Sequence, residues 1–238
     1  MLKIRTVILA AGMSTRLLPY TETLPKPMLP IKGKPILEYV ISNLSIQGYK
    51  DIIITVHYKN EKIIDYFKDG HDFGVKIKYS YEEELLDTAG SLRKLSDELT
   101  SDFLVCGGSF LLKGVPLKSF EEFHKQYNGI GSIIFSTLKN NNFLQYYGQA
   151  IINEDHRIIK FQEKPVDPIS NLIHTTYQIY NPRIFQFYEK DRKYSIPDDL
   201  LPVLMKRNER LYGYITKEQV FNISNIELYK NTVENWRM

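Results

Sequence analysis

The residues with the clearest chemistry lie in one stretch near the N-terminus. Residues 7–20 read VILAAGMSTRLLPY, and residues 21–41 continue TETLPKPMLPIKGKPILEYVI. An apolar, β-branched run ending at Ala10, Ala11 and Gly12 reads as a buried strand entering a turn. Glycine lets the backbone turn sharply there and come close to an anion. The amides that follow Gly12 can line an anion-binding concavity, to which Ser14 and Thr15 add hydroxyl donors. Arg16 offers a planar, permanently charged fork for phosphate oxygens. Lys26, between Pro25 and Pro27, is a point charge on a stiffened loop, and loops on a rigid scaffold are where reactive groups sit. Either cation alone is as well explained by a polar crossover. Strand, glycine turn, Ser-Thr-Arg, Pro-Lys-Pro and helix in succession point to a phosphorylated ligand. The loop lacks the glycine-lysine pair of a Walker loop and the three glycines of a dinucleotide fingerprint.

These residues need a scaffold, and the flanking pattern supplies one. Pro35 opens a helix with Leu37, Val40, Ile41 and Leu44 at helical spacing, and Gly48 stops it. DIIITVH is a continuous apolar strand. Residues 60–68 read as a helix, 75–81 as a strand and 88–99 as a helix; FLVC follows as a strand, 117–127 as a helix and GSIIFSTL as a strand. This βαβα succession predicts an α/β, doubly wound, mainly parallel, Rossmann-like sheet, with ligands at the carboxyl ends of the strands. YGQAIIN and IIKFQEKP form an antiparallel hairpin, followed by the strand IHTTYQIY, a helix over 198–207, the strand LYGYIT and a helix over 226–236. The expectation is one domain, with a first part over about 1–138 and a smaller antiparallel lobe over about 139–238.

The first loop resembles the signature G-x-G-T-R-L-x-P-x-T-x-x-x-P-K-P of the sugar-1-phosphate nucleotidyltransferases, which join a nucleoside triphosphate and a sugar phosphate into an NDP-sugar and pyrophosphate. The resemblance implies the nucleotide-diphospho-sugar transferase fold, in which the first part, about 1–138, is the nucleotide-binding part and the smaller antiparallel lobe, about 139–238, is the sugar-binding lobe. It also implies that Arg16 and Lys26 act catalytically by neutralising the triphosphate, with residues 9–15 binding nucleotide. Ser14 stands where the family usually has its second glycine. EEELLDTAGSL, residues 82–92, resembles the family's L-G-T-A-G segment, implying that Asp87 and Thr88 bind the nucleotide, with Asp87 replacing a glycine. A plain helix N-cap at Asp87 or Thr88 is compatible with this role. Tyr147-Gly148 and Phe161-Gln162-Glu163-Lys164-Pro165 resemble the family's Y-G and E-K-P elements. These imply sugar-phosphate contacts from Gly148, Glu163 and Lys164: a carboxylate accepts from hydroxyls and an ammonium meets an anion. His174-Thr175-Thr176 departs from the family's Asn-Ala-Gly, leaving Thr176 as the sugar-side candidate.

The family's cofactor is Mg²⁺, a hard cation that favours carboxylate oxygens. Its two aspartates would fall at Ser109, after FLVCG and Gly108 (itself a nucleotide contact by resemblance), and at Asn222, in QVFNISN. No residue is therefore assigned to metal. Three readings follow: help from a carboxylate such as Glu163 or Glu218, a deliberate exchange at Ser109, or a paralogue that binds nucleotide or NDP-sugar without turning it over. The leading expectation is an enzyme joining an NTP to a sugar 1-phosphate. Transfer of cytidylyl to phosphocholine or a similar phospho-alcohol is the alternative within the fold.

Other features bound the function. Thirty-one basic against 28 acidic residues give a net charge of +3, spread along the chain without the basic stripe of a nucleic-acid binder. One cysteine, Cys106 in an apolar run, forms no internal disulfide and reads as a buried hydrophobe. The N-terminal apolar stretch is too short to cross a bilayer, so a soluble, cytoplasmic protein with no membrane partner is expected. With the sequence ending at residue 238, the expectation is a chain without an added acyltransferase β-helix. A homo-oligomer, or pairing with an active homologue, is open to such a chain. His57 reads as structural, and Glu82 to Glu84 as a solvated acidic run.

Overall fold

The computed structural model describes residues 4–114, 116–138, 141–190 and 192–237. In chain order these form β1 (Thr6–Leu9), the short hairpin β2 (Pro30–Ile31) and β3 (Lys34–Pro35), α1 (Ile36–Ile46), β4 (Asp51–Val56), α2 (Asn60–Phe67), β5 (Lys76–Tyr81) and α3 (Asp87–Lys94). Then come β6 (Phe103–Gly107), β7 (Phe110–Leu112), α4 (Leu117–Tyr127), β8 (Gly131–Thr137), β9 (Gln149–Ile152), β10 (Ile158–Gln162) and β11 (Leu172–Tyr180). The chain closes with α5 (Leu201–Lys206), β12 (Leu211–Thr216), β13 (Val220–Asn222) and α6 (Ile226–Asn235). Two compact units alternate along the sequence: residues 1–85, 106–112 and 220–238 form the first, and 86–105 and 113–219 the second.

The first unit is built on parallel pairing. β1 pairs with β4 from Thr6↔Ile52 to Leu9↔Thr55, and β4 with β5 from Asp51↔Lys76 to Val56↔Tyr81. Val7, Ile8, Ile52, Ile53 and Ile54 are all buried, the continuous apolar run of strands covered on both faces. Each such side chain contributes about 1.5–3 kcal/mol of transfer free energy. α1 starts after Pro35, whose ring pre-sets the entering backbone, and turns its apolar residues to the core. It ends at Gly48, which takes φ 87°. β13 lies antiparallel to β7, with Asn222 opposite Phe110.

The second unit is mixed. β11 runs antiparallel to β6, β8 and β9, and β9 antiparallel to β10. β12 joins β8 in parallel, from Leu211↔Gly131 to Thr216↔Ser136.

Two helices differ from expectation for local reasons. The α3 pattern extends to Leu99, but past Lys94 the chain tightens: Leu95 N donates to Leu92 O and Glu98 N to Leu95 O. Leu95 and Leu99 stay buried, so the apolar spacing outlives the helix. α5 is preceded by a wide turn over Ile196–Leu200, which starts where Ser195 Oγ accepts from Asp198 N. Glu82, expected in a solvated run, is buried at 5% exposure because its amide continues β5 by bonding Val56 O.

Candidate functional site

The phosphate-loop candidates sit at the end of β1. Leu9 closes the strand, and Ala10 N donates to Thr55 Oγ1 on β4 at 3.2 Å, pinning the start of the loop. Gly12 is exposed and not left-handed, and a methyl group there would meet nothing within 4 Å. The sharp turn expected at Gly12 falls instead at Ser14, which takes φ 57°, ψ 40°. A side chain costs about 1–2 kcal/mol in that conformation, which explains the family's glycine at this position. The Ser14 hydroxyl bonds back to Gly12 O at 3.4 Å, while Ser14 O accepts from Leu17 N at 3.0 Å and Thr21 Oγ1 at 3.2 Å. Met13 and Thr15 are exposed.

Arg16 lies in a single 3₁₀ turn, Thr15–Leu17, anchored by the fully buried Leu17. Its guanidinium is exposed and has neither hydrogen bond nor ion pair among the described residues. Lys26 opens a second 3₁₀ turn after Pro25 and is half-buried. The loop between the two cations is braced in ways the sequence did not signal. Tyr58 Oη donates to Thr21 O and Lys59 Nζ to Glu22 O, and just past Lys26, Tyr229 Oη on α6 donates to Pro30 O at 2.8 Å. The Tyr20 and Tyr229 rings meet edge to face at 5.3 Å.

Gly108 brings the end of β6 against this loop. Its amide donates to Leu9 O at 3.0 Å, and a methyl group there would lie 3.2 Å from Ala10 Cβ and 3.3 Å from Ile8 Cγ2. Ser109 follows, 9% exposed, and its neighbour Phe110 is paired with Asn222. Of the two positions that the resemblance gives to aspartates, Ser109 thus lies in the turn before β7 and Asn222 lies opposite the residue that follows it, and neither side chain has a hydrogen-bond partner among the described residues. A hydroxyl and a carboxamide bring no negative charge, and no group of three His, Cys, Asp or Glu that could hold a metal occurs among the described residues. This donor set does not fit Mg²⁺, which is ordinarily bound through one or two carboxylates.

The remaining candidates belong to the second unit. Asp87 takes φ 61°, again where the family has glycine, and its Oδ1 accepts from the adjacent Thr88 N at 2.6 Å. Neither residue makes the expected N-cap: Thr88 Oγ1 accepts from Ile196 N at 2.7 Å, while Ala89 N and Gly90 N both donate to Tyr194 O. Gly90 has no room for a side chain, since a methyl group would lie 2.6 Å from Arg192 O.

Gly148, Glu163 and Lys164 come together. A methyl group on Gly148 would lie 2.5 Å from Glu163 Oε2 and 2.8 Å from Phe161 Cζ, and Lys164 Nζ bonds Glu163 Oε1. Glu163 is therefore paired with Lys164, its neighbour in sequence. His174 N donates to Gly148 O at 2.7 Å, and its ring stands edge-on to Phe161. Burial first, and the Lys164 charge second, hold the His174 imidazole down to about 4. Thr175 is consumed by Ile134 O and Tyr177 N, whereas Thr176 falls in the stretch of β11 where the register shifts.

One constellation went unseen in the sequence. His124 Nδ1 lies 2.9 Å from Ser132 Oγ, its Nε2 lies 3.5 Å from Asp102 Oδ2, and Asn181 donates to Asp102 Oδ1. The His124 hydrogen bond holds the Asp102 carboxyl below its usual range, against the effect of burial. Ser132 is 0% exposed and cannot meet a substrate, so this chain of bonds clips α4 to β8. His57, as expected, is structural: its Nδ1 lies 2.7 Å from Glu82 O.

The family model described as nucleotidyl transferase matches residues 5–237. A UTP–glucose-1-phosphate uridylyltransferase of a Synechocystis strain is 32% identical over 88% of this chain and 57% of its own length. A mannose-1-phosphate guanyltransferase of Candida albicans is 32% identical over 87% of this chain and 58% of its own. The chain thus spans somewhat more than half the length of these relatives. Among solved structures, HddC from Yersinia pseudotuberculosis complexed with GMP-PN superposes with a TM-score of 0.82 at 26% identity, covering 99% of this chain and all of that one.

Proposed function

The chain belongs to the nucleotidyl transferase family, and on that premise we propose that it joins a nucleoside triphosphate to a sugar 1-phosphate, giving an NDP-sugar and pyrophosphate. An oxygen of the sugar phosphate attacks the α-phosphorus; the bond from that phosphorus to the bridging oxygen breaks, and pyrophosphate leaves with the electron pair. Such a transfer rests on positioning and on neutralising charge that builds on the phosphates. The loop of residues 9–15 cradles the triphosphate, with Arg16 and Lys26 supplying the positive charge. Glu163 and Lys164 take the hydroxyls and phosphate of the sugar partner, beside Gly148 and Thr176. Asp87, Thr88 and Gly108 complete the nucleotide side. No step is assigned to Mg²⁺.

The observation that carries the reading is Arg16: an exposed guanidinium with no partner among the described residues, next to the buried Leu17 and in the same loop as Gly12, where a methyl group would meet nothing within 4 Å. Two curated relatives are a uridylyltransferase and a guanyltransferase, and a related structure holds GMP-PN, which supports a nucleotide substrate without fixing its base. The test is pyrophosphate release across the common nucleotides and a panel of sugar 1-phosphates. Release that needs both substrates and falls about a hundredfold or more in Arg16→Ala is expected; no release from any pair would refute it.

Ser109 and Asn222 favour a second reading, a chain that binds nucleotide or NDP-sugar and does not turn it over. Tight NDP-sugar binding with no release, in the unmodified chain and in Ser109→Asp/Asn222→Asp, would select it; turnover by the unmodified chain would remove it.

A further inference from the structure

We infer that the first unit holds the phosphates of its nucleotide directly, with Ser109 and Asn222 donating hydrogen bonds to phosphate oxygens and no divalent cation between them. The inference rests on the nucleotide reading above and concerns how that same site neutralises its ligand.

The geometry sets Ser109 beside the start of the loop, and Asn222 across the β7–β13 ladder from the residue that follows Ser109. Gly108 N bonds Leu9 O, and the Gly108 Cα lies against Ala10 and Ile8, so Ser109 begins beside the first residues of the loop. Phe110, next in sequence, is opposite Asn222. The Ser109 hydroxyl and the Asn222 amide have no hydrogen-bond partner among the described residues, so both keep donors to offer.

The chemistry of the two types points the same way. A carboxylate is acceptor-only and faces a phosphate productively through a cation. A hydroxyl and a carboxamide each carry N–H or O–H donors that bond a phosphate oxygen without one. Where no cation intervenes, an aspartate at either place repels the ligand, while serine and asparagine attract it. The exposed Arg16 then supplies charge that a metal would otherwise bring, and it does so permanently. The described residues provide no group of three His, Cys, Asp or Glu to recruit a metal in its place.

The test is calorimetric titration of the full chain with nucleoside triphosphates, once with excess MgCl₂ and once with EDTA. The expected result for the unmodified chain is a Kd that changes by no more than about threefold between the two. Asn222→Asp, nearly isosteric and therefore safe for folding, is expected to weaken binding in EDTA by about tenfold, the equivalent of about 1.4 kcal/mol. Mg²⁺ should recover most of that loss. Ser109→Asp should behave likewise, its folding checked by circular dichroism because Ser109 is nearly buried. Binding by the unmodified chain that requires Mg²⁺, or equal binding by Asn222→Asp and the unmodified chain in EDTA, would overturn the inference. Failure to bind any nucleotide in either buffer would instead refute the nucleotide reading beneath it, so the two failures are distinct.

Discussion

Replacing Gly12 by alanine separates two reasons for a glycine. If the backbone required it, the substitution would cost stability; if the ligand requires it, the cost appears only on binding. Gly12 is not left-handed, and a methyl group built on it meets no heavy atom within 4 Å. The fold therefore gains a side chain without a clash and loses unfolded-chain entropy, so Gly12→Ala should be neutral or stabilising by about 0.4–1 kcal/mol. A phosphate lying against the same backbone would meet that methyl group, and crowding of this kind costs about 1–3 kcal/mol in a packed site. That corresponds to roughly a 5- to 150-fold rise in the nucleotide Kd. Urea unfolding and nucleotide titration on the same preparation check the two signs together. A destabilised variant would show that the loop conformation has been misread. A variant with unchanged affinity would show that no ligand approaches Gly12.

Other perturbations have equally definite outcomes. Gly90→Ala sets a methyl group 2.6 Å from Arg192 O, a backbone atom with little freedom to move, and should lose about 1–3 kcal/mol in a urea melt; wild-type stability would contradict the packing. Ser14→Gly relieves the left-handed position at φ 57° and should gain up to about 1 kcal/mol after the added unfolded-chain entropy, whereas a loss above that size would count against it. His174 titrates near 4 in the fold against a usual 6.5, so between those values the unfolded chain binds the extra proton and stability falls as pH drops. The contribution is complete above pH 6.5 and is of the order of 3 kcal/mol. His174→Gln should flatten the stability profile between pH 6.5 and 4, and an unchanged slope would refute the assignment.

The parts of the site legible in the sequence are those written in contiguous residues. VILAAG gave a strand and turn because β-branched apolar runs fit a covered parallel sheet, and STRLLP and PKP announced a cationic loop beyond it. What escaped depends on partners far along the chain. The ladder that sets Asn222 opposite Phe110, the residue after Ser109, joins two three-residue strands, too short for either to show a period. The left-handed residue could not be separated from its neighbours, because Gly12 is permissive while Ser14 is not; only the backbone shows that Ser14 takes the strain. Thr88 looked like a helix cap because its own helix follows it, yet its hydroxyl is claimed by Ile196. Glu82 read as solvated among three acidic residues, although the strand it extends carries it inward.

Left-handed side chains occupy two positions that the resemblance assigns to glycine, Ser14 and Asp87, and a third at Lys164 follows the paired Glu163. Strained residues of this kind persist where the surrounding structure over-determines them, and they cluster at ligand sites. Of the nine described non-glycine residues with positive φ, these three adjoin the segments proposed to bind phosphate, nucleotide and sugar, while others, Asn128 and Asn208 among them, lie in turns outside those segments.

The most direct test of the account is phosphorus NMR of the chain incubated with each nucleoside triphosphate and each sugar 1-phosphate, with and without Mg²⁺. One pairing is expected to yield new NDP-sugar diphosphate signals and inorganic pyrophosphate in equal amounts, at a rate that falls about a hundredfold or more in Arg16→Ala. Spectra that stay unchanged in every pairing and in both buffers would contradict it.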